Sequence, residues 1–422
     1  MADNAGPTDR KRILYVENGI GYGGAIICLR HLVRNLDRTR FEPLVITGRG
    51  DALYRDIAQE APWRHVPDRL IDLAPFKRRL DAAHWPDKLP GLRFLLGQFL
   101  ARADDLCNFL PSFLGTLWVA LRFQPHLIHA NNEPLCNRSA LLVGKLLNIP
   151  VVSHVRGDQQ GSAMMRWFYR IPTRFIAVSR WVSDSLGRLG IAETKRGYVY
   201  DGIELDKLDL QADGLAFRRR YGVPDQAIAV GLVGLLIPWK GQRLFLQAGH
   251  ELLERHPDLY LLIVGGTPAE CVDYERELRA EAASARHAER IIFTGHQTGM
   301  PAVYKGLDVV VSASTSPEPL GTMIIECLAM ARPLIAPDHG GALEMVEHER
   351  TGLLFEAGNA SDLAAAIERL CSDASLRRIL GAAARQHALE TFSIEQHINA
   401  VQNVYDDVLG ATRQAGHDAQ PS

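Results

Sequence analysis

The run Ser316–Gly341, SPEPLGTMIIECLAMARPLIAPDHGG, carries two carboxylates in its first half, Glu318 and Glu326, with seven residues between them. Glu318 precedes Pro319 and so belongs to extended backbone, because the proline ring disfavours helical angles in the residue before it. From Gly321 to Ala331 the pattern predicts a helix with Ile324, Ile325, Leu328 and Ala329 on its buried side. The backbone N–H groups of Leu320, Gly321 and Thr322 then point out of the helix start, where unpaired donors and the positive end of the dipole favour phosphate. Glu326 lies about one turn in, at roughly 1.5 Å of rise per residue, within reach of the same ligand. A carboxylate beside a phosphate is electrostatically awkward, yet it suits sugar hydroxyls, which donate hydrogen bonds. The run therefore fits a ligand bearing both groups, a sugar nucleotide. The alternative is a surface helix with an ordinary solvated glutamate.

The rest of the chain limits the class. Its 422 residues, 47% hydrophobic, suffice for two or three domains with real cores. The 47 basic and 49 acidic residues leave a formal charge of -2, so no global field draws the chain to nucleic acid. Cys28, Cys107, Cys136, Cys271, Cys327 and Cys371 are scattered without a close pair, as expected of buried thiols in a reducing compartment. The polar start MADNAGPTDRKR, with only a short apolar run after it, does not read as a secretory signal, and a cytoplasmic protein is expected. No unbroken apolar stretch reaches the roughly 18 to 20 residues of a spanning helix. FLPSFLGTLWVAL, Phe109–Leu121, comes nearest, preceded by RFLLGQFL and the basic run Lys77, Arg78, Arg79. Core packing is the favoured expectation for it, with a peripheral membrane contact as the alternative.

Short apolar runs alternate with longer periodic ones through both halves. ILYV, PLVITG, HLIHA, PVVSHV and RFIAVS mark the first set, and AIAVGLVGLL, YLLIVGG, RIIFTGH, DVVVSAS, PLIAP and GLLFEA the second. Such alternation predicts α/β architecture with parallel sheets covered on both faces. The polar stretch Leu205–Gln226 reads as a linker, so two Rossmann-like domains facing each other across a cleft are expected, with ligand beyond the carboxyl ends of the strands.

Three further positions belong to such strand ends. Gly19, Gly21, Gly23 and Gly24 follow the first strand, where glycines let backbone approach a ligand; a simple tight turn reads equally well, and no ribose-binding acid follows the next strand. Lys240, in LLIPWKGQ, can set a point charge against a phosphate, or be a solvated loop lysine. His154 ends VVSHV and can meet a sugar hydroxyl or the reacting centre, although a lone histidine is more often structural. No His, Cys, Asp and Glu set has metal-ligand spacing and no Asp-x-Asp pair follows a strand, so neither metal nor cofactor is expected.

Taken together, GYGGA, SHVRGD, IAVSRWVSDSL, VYDGIELDKL, PWKGQ, SPEPLGTMIIECLAMARPLIAP, GGALEMV and HERTGLLF resemble the retaining glycosyltransferases of the GT-B fold, family 4 type, over nearly the whole chain. The resemblance implies Glu318 on the donor sugar, Glu326 on the nucleotide ribose, and Leu320, Gly321 and Thr322 offering N–H groups to sugar and diphosphate. Lys240 would hold the phosphates, Gly23 and Gly24 would line the cleft, and His154 would lie near donor sugar and acceptor. The resulting expectation is residues 1–207 as an acceptor-side domain, 208–390 as the nucleotide-sugar domain, 391–410 as a helix crossing back, and 411–422 as a flexible tail. It also implies transfer from a nucleoside diphosphate sugar to a glycan or lipid-linked glycan in cell-surface polysaccharide assembly. A nucleotide-sugar epimerase and a non-catalytic sugar-nucleotide binder remain as alternatives. One position departs: where the family usually has arginine, Gly234 is followed by Leu235. Losing that charge-assisted partner costs on the order of 1.5 to 3 kcal/mol unless Arg156 or Arg243 replaces it. The insertion between about Asp51 and Phe123, with Trp63, Trp85 and Trp118, is the expected acceptor region.

Overall fold

The computed structural model describes residues 10–19, 23–83, 91–159 and 165–417; Trp85, Gly21 and residues 418–422 lie outside them. The chain divides into two units. The first takes residues up to Val178, Val182–Val199 and everything from Ile398; the second takes Ser179–Trp181 and Tyr200–His397.

Among the described residues the first unit holds strands β1 (Lys11–Glu17), β2 (Phe41–Thr47), β3 (Trp63–His65), β4 (Leu127–Asn131), β5 (Val151–Val155), β6 (Arg174–Ala177) and β7 (Arg196–Tyr198). They form one parallel sheet in the order β3-β2-β1-β4-β5-β6-β7. The second unit repeats the plan with β8 (Ile228–Val233), β9 (Leu259–Val264), β10 (Ile291–Gly295), β11 (Val309–Val311), β12 (Leu334–Pro337) and β13 (Leu353–Phe355), ordered β10-β9-β8-β11-β12-β13. Each is a doubly wound Rossmann-type sheet whose order reverses beside its first strand, between β1 and β4 in one and between β8 and β11 in the other. The run of apolar residues in each strand follows from burial on both faces. In β9, Leu262 and Val264 enter one core cluster while Leu261 and Ile263 enter another, as side chains alternate across the sheet.

The stretch expected as a linker is packed structure instead. Helix Gly214–Arg220 buries Phe217 and Arg218, and the Arg218 guanidinium donates to the carbonyls of Gly306 (2.8 Å) and Ala227 (2.8 Å) and to the Asp308 carboxylate. Its charge made it look solvated, but backbone carbonyls and an ion pair satisfy it inside the second unit. The C-terminal helix Ile394–His417 starts in the second unit and continues in the first, running through residues 411–417 that were expected as tail. Tyr405 on it is fully buried, with its hydroxyl in hydrogen-bond contact with His129 Nδ1 (2.7 Å).

The apolar segment of the first unit is also corrected. Leu92–Phe123 is one helical run, with a π-helical turn at Asp105–Phe109, long and apolar enough to cross a membrane by length and composition. Only 28% of its most apolar window is buried, so it is not the core helix its length suggested.

Candidate active site

The second unit brings the sequence-predicted residues together at the reversal point of its sheet. After β8 the chain turns through Gly234 to a short 3-10 segment, Pro238–Lys240, and Gly241 starts the next helix with φ 77. A Cβ on Gly241 would fall 1.8 Å from the Ala313 carbonyl oxygen, so only glycine lets this loop close onto the one that follows β11. That contact sets Lys240 beside Glu318: Nζ lies 2.7 Å from Oε2, with both side chains mostly covered. Ser314, just past β11, donates to the other oxygen, Oε1, and the lysine ammonium also stands 4.6 Å from the Trp239 ring centroid. Glu318 is thus held in one orientation by an ammonium and a hydroxyl.

Its backbone is fixed from a third loop. Gly341 N–H donates to the Glu318 carbonyl (2.8 Å), and Gly340 sits at φ 60 with its would-be Cβ 2.9 Å from Glu318 N. A Cβ on Gly341 would meet the Pro319 carbonyl oxygen at 2.5 Å. The two glycines after β12 are therefore a brace pressed against the Glu318–Pro319 backbone.

The helix of the motif spans Thr322–Ala329, shorter at both ends than expected; Gly321 is its N-cap without a side-chain cap, and Ala331 leaves it at φ 55. Ile324 and Ile325 make its first bonds, both to the Gly321 carbonyl, so the N–H groups of Thr322 and Met323 precede any intrahelical acceptor. Ile324, Ile325, Cys327, Leu328 and Ala329 are buried, which fixes the helix rotation and places Glu326 on the partly covered side. Tyr304, on helix Met300–Gly306, donates its hydroxyl to Glu326 Oε2 at 2.8 Å. Burial pushes the Glu326 carboxyl above the ordinary range, and the tyrosine bond pulls it partly back. Tyr304, Ser314 and the Gly340–Gly341 brace escaped sequence reasoning as site components, because each acts through tertiary contact.

Leu235 is half exposed where the resemblance implies arginine. Arg243 does not replace it, because its guanidinium is held at the surface by Glu277 and Glu281 (both 3.1 Å).

In the first unit, Gly23 caps helix Gly24–Arg34, and a Cβ on either glycine would meet nothing within 4 Å. Among the described residues, none stands where a side chain at either position would go. His154 stands in the strand expected for it, one residue before its end. It lies inside β5, fully buried, with its ring 5.3 Å from that of His129 in an edge-on contact. The strand continues to Val155, and the residue that leaves its carboxyl end is Arg156, whose Nε donates to Asn131 Oδ1 (3.2 Å). Among the described residues, its ring packs against that of His129 in the core of the first unit. Beside Asn131 at the same edge, Glu17 is a buried carboxylate that accepts from Gly19 N–H (2.8 Å) and from the side chains of Asn131 and Asn132.

These two doubly wound sheets, with a carboxylate and lysine at one reversal point, define a protein of the GT-B fold. Two family models match it, Glycosyltransferase Family 4 over residues 22–207 and Glycosyl transferases group 1 over residues 215–387. The chain belongs to this group 1, family 4 class of glycosyltransferases. It is similar to the putative glycosyltransferase YtcC of Bacillus subtilis (strain 168), 30% identical over 55% of this chain and 60% of that protein. It is also similar to the lipopolysaccharide core biosynthesis mannosyltransferase LpcC of Rhizobium leguminosarum bv. viciae, 28% identical over 61% of this chain and 70% of that one. The match thus spans less than two thirds of the YtcC length. Among solved structures, Anabaena Alr3699/HepE in complex with UDP shares the fold, with TM-score 0.77 and 22% identity over 94% of this chain and 100% of that one. The same protein has been solved with UDP-glucose, at TM-score 0.75 and 22% identity over 94% and 99% of the two chains.

Proposed function

We propose that this protein transfers a sugar from a nucleoside diphosphate sugar to an acceptor hydroxyl, with retention of anomeric configuration and without a metal ion. The observation that carries the reading is the Lys240–Glu318 contact beside the start of helix Thr322–Ala329, with Glu326 further along that helix. An ammonium and helix N–H donors suit a diphosphate, and two oriented carboxylates suit sugar and ribose hydroxyls. The complexes of HepE with UDP and UDP-glucose support this donor class.

In the proposed step the diphosphate gathers charge as the glycosidic bond breaks, and Lys240 with the helix start stabilises it. The acceptor oxygen attacks from the side the diphosphate leaves; its proton passes to a phosphate oxygen, so the products are the glycoside and free nucleotide. Lys240 must turn from Glu318 toward phosphate as the donor binds, leaving Glu318 to accept from sugar hydroxyls. A glycan or lipid-linked glycan is the proposed acceptor, supported by the lipopolysaccharide role that LpcC's name carries. A second reading, a sugar-nucleotide binder without turnover, draws on Leu235 in place of a phosphate-side arginine. Release of nucleotide from a bound donor separates the two: transfer requires it, and binding alone does not produce it.

A further inference from the structure

The helical run Leu92–Phe123 is amphipathic in the wrong sense for water. Its buried positions are Asn108, Ser112, Thr116, Val119 and Ala120, three of them polar. Its exposed large apolar side chains are Phe94, Leu95, Phe99, Leu106, Leu110, Leu114, Trp118 and Leu121, between 42% and 70% exposed. From Leu106 to Leu121 they recur every three or four residues, so these five form one stripe along one side of the helix. At about 1.5 Å per residue the run is about 48 Å long. An exposed apolar face of that extent marks an interaction surface.

We propose that this stripe lies in the plane of an anionic lipid bilayer, with its apolar side chains at the boundary between headgroups and acyl chains. Charge argues for that occupant. Lys77, Arg78 and Arg79 stand exposed on the preceding helix, Ala74–Ala82, beside an exposed Phe76. The guanidinium groups of Arg64 and Arg122 lie 5.8 and 5.1 Å from the Trp118 ring centroid, a cation and aromatic grouping suited to the headgroup level. An isologous pairing of two copies through the stripe would repeat that cationic flank within one interface, whereas acidic headgroups complement it.

The helix lies on the membrane rather than through it. Asn108 Oδ1 accepts from the backbone N–H groups of Leu70 (2.8 Å) and Ile71 (2.9 Å), and its Nδ2 donates to the Ile71 carbonyl (2.9 Å), which ties the inner face to the unit. Arg102 pairs with Asp105 in mid-run (2.9 Å), a grouping at home in an interface and costly in hydrocarbon.

Flotation of the full chain with phosphatidylcholine vesicles, and with phosphatidylcholine–phosphatidylglycerol vesicles, tests this without any nucleotide chemistry, so its failure leaves the proposed transfer untouched. The protein is expected to float with both and more with the anionic mixture. The triple variant Leu106→Asp, Leu110→Asp, Leu114→Asp should lose at least about 100-fold in partitioning, since each leucine forfeits apolar burial. Because those side chains are exposed, its melting temperature should be unchanged. Reversing Lys77, Arg78 and Arg79 to glutamate should remove the preference for anionic vesicles and its salt sensitivity. The proposal is overturned if the unaltered protein stays with neither vesicle, or if the leucine variant floats equally well. It is also overturned if light scattering shows a dimer that the leucine variant converts to monomer while nothing floats; the stripe would then cover a second copy.

Discussion

Tyr304 fixes the rotamer of Glu326 through one hydrogen bond from a fully buried ring. Tyr304→Phe keeps the packing and removes that bond, with the longer contact to the Met323 carbonyl (3.5 Å), and the bond to a charged acceptor contributes about 1.5–3 kcal/mol. The expected result is a donor KM raised about tenfold with kcat little changed, read from initial rates. In the proposed donor complex Glu326 accepts from ribose hydroxyls best when ionised, and burial raises its pKa, so donor affinity should fall on acidification at a pH above the ordinary carboxyl range. The tyrosine bond lowers that pKa, so the phenylalanine variant should lose affinity at a still higher pH; titration calorimetry across the acidic range measures both. His154 predicts the opposite pattern. Its ring fills space beside His129, so His154→Ala should lower the melting temperature through a cavity while leaving nucleotide affinity intact. The two glutamates and Lys240 were legible because local sequence, a proline, a helix start and a strand end, fixes their positions. The full burial of His154 was not legible, because packing around the next-to-last strand residue is set by tertiary contacts.

At the scale of elements, three loops build the candidate site, and the glycines after β12 press on the one that carries Glu318. Gly341→Ala would drive a methyl group against the Pro319 carbonyl, so the loop bearing Glu318 must shift. Overpacking of this kind costs about 1–3 kcal/mol, and the variant should lose turnover more than its modest drop in melting temperature implies. The eleven strand runs read from sequence appear as strands, because two-face burial makes each a continuous apolar stretch. β3 (WRH) and β7 (RGY) were missed: they are three-residue edge strands with little buried surface and no apolar run to betray them. The helix Gly214–Arg220 hid behind three consecutive arginines that read as solvent-exposed, although Arg218, the first of them, meets the carbonyls around it. The Leu92–Phe123 run misled in the other direction, since apolar content alone does not tell a buried helix from an exposed one.

At the scale of the whole molecule, the chain carries two sheets of one strand order, and the grouped candidate residues belong to the second unit. Nucleotide alone should therefore protect backbone amides chiefly in the loops after β8, β11 and β12, which hydrogen exchange with and without UDP would map; protection confined to the first unit would move the site. Saturating ligand at about 100 times its Kd adds roughly 2.7 kcal/mol to the stability of the form it binds, enough for a clear thermal shift. The central claim is donor turnover at the Lys240–Glu318–Glu326 group. It is tested most directly by incubating the purified protein, in the presence of a chelator and glycolipid acceptors, with UDP-, GDP- and ADP-sugars while following thermal shift and nucleotide release. One donor is expected both to stabilise the protein and to yield free nucleotide, with both effects lost in Glu326→Ala and release lost in Lys240→Ala. Release that persists in both variants, or no binding of any donor by the unaltered protein, would contradict it.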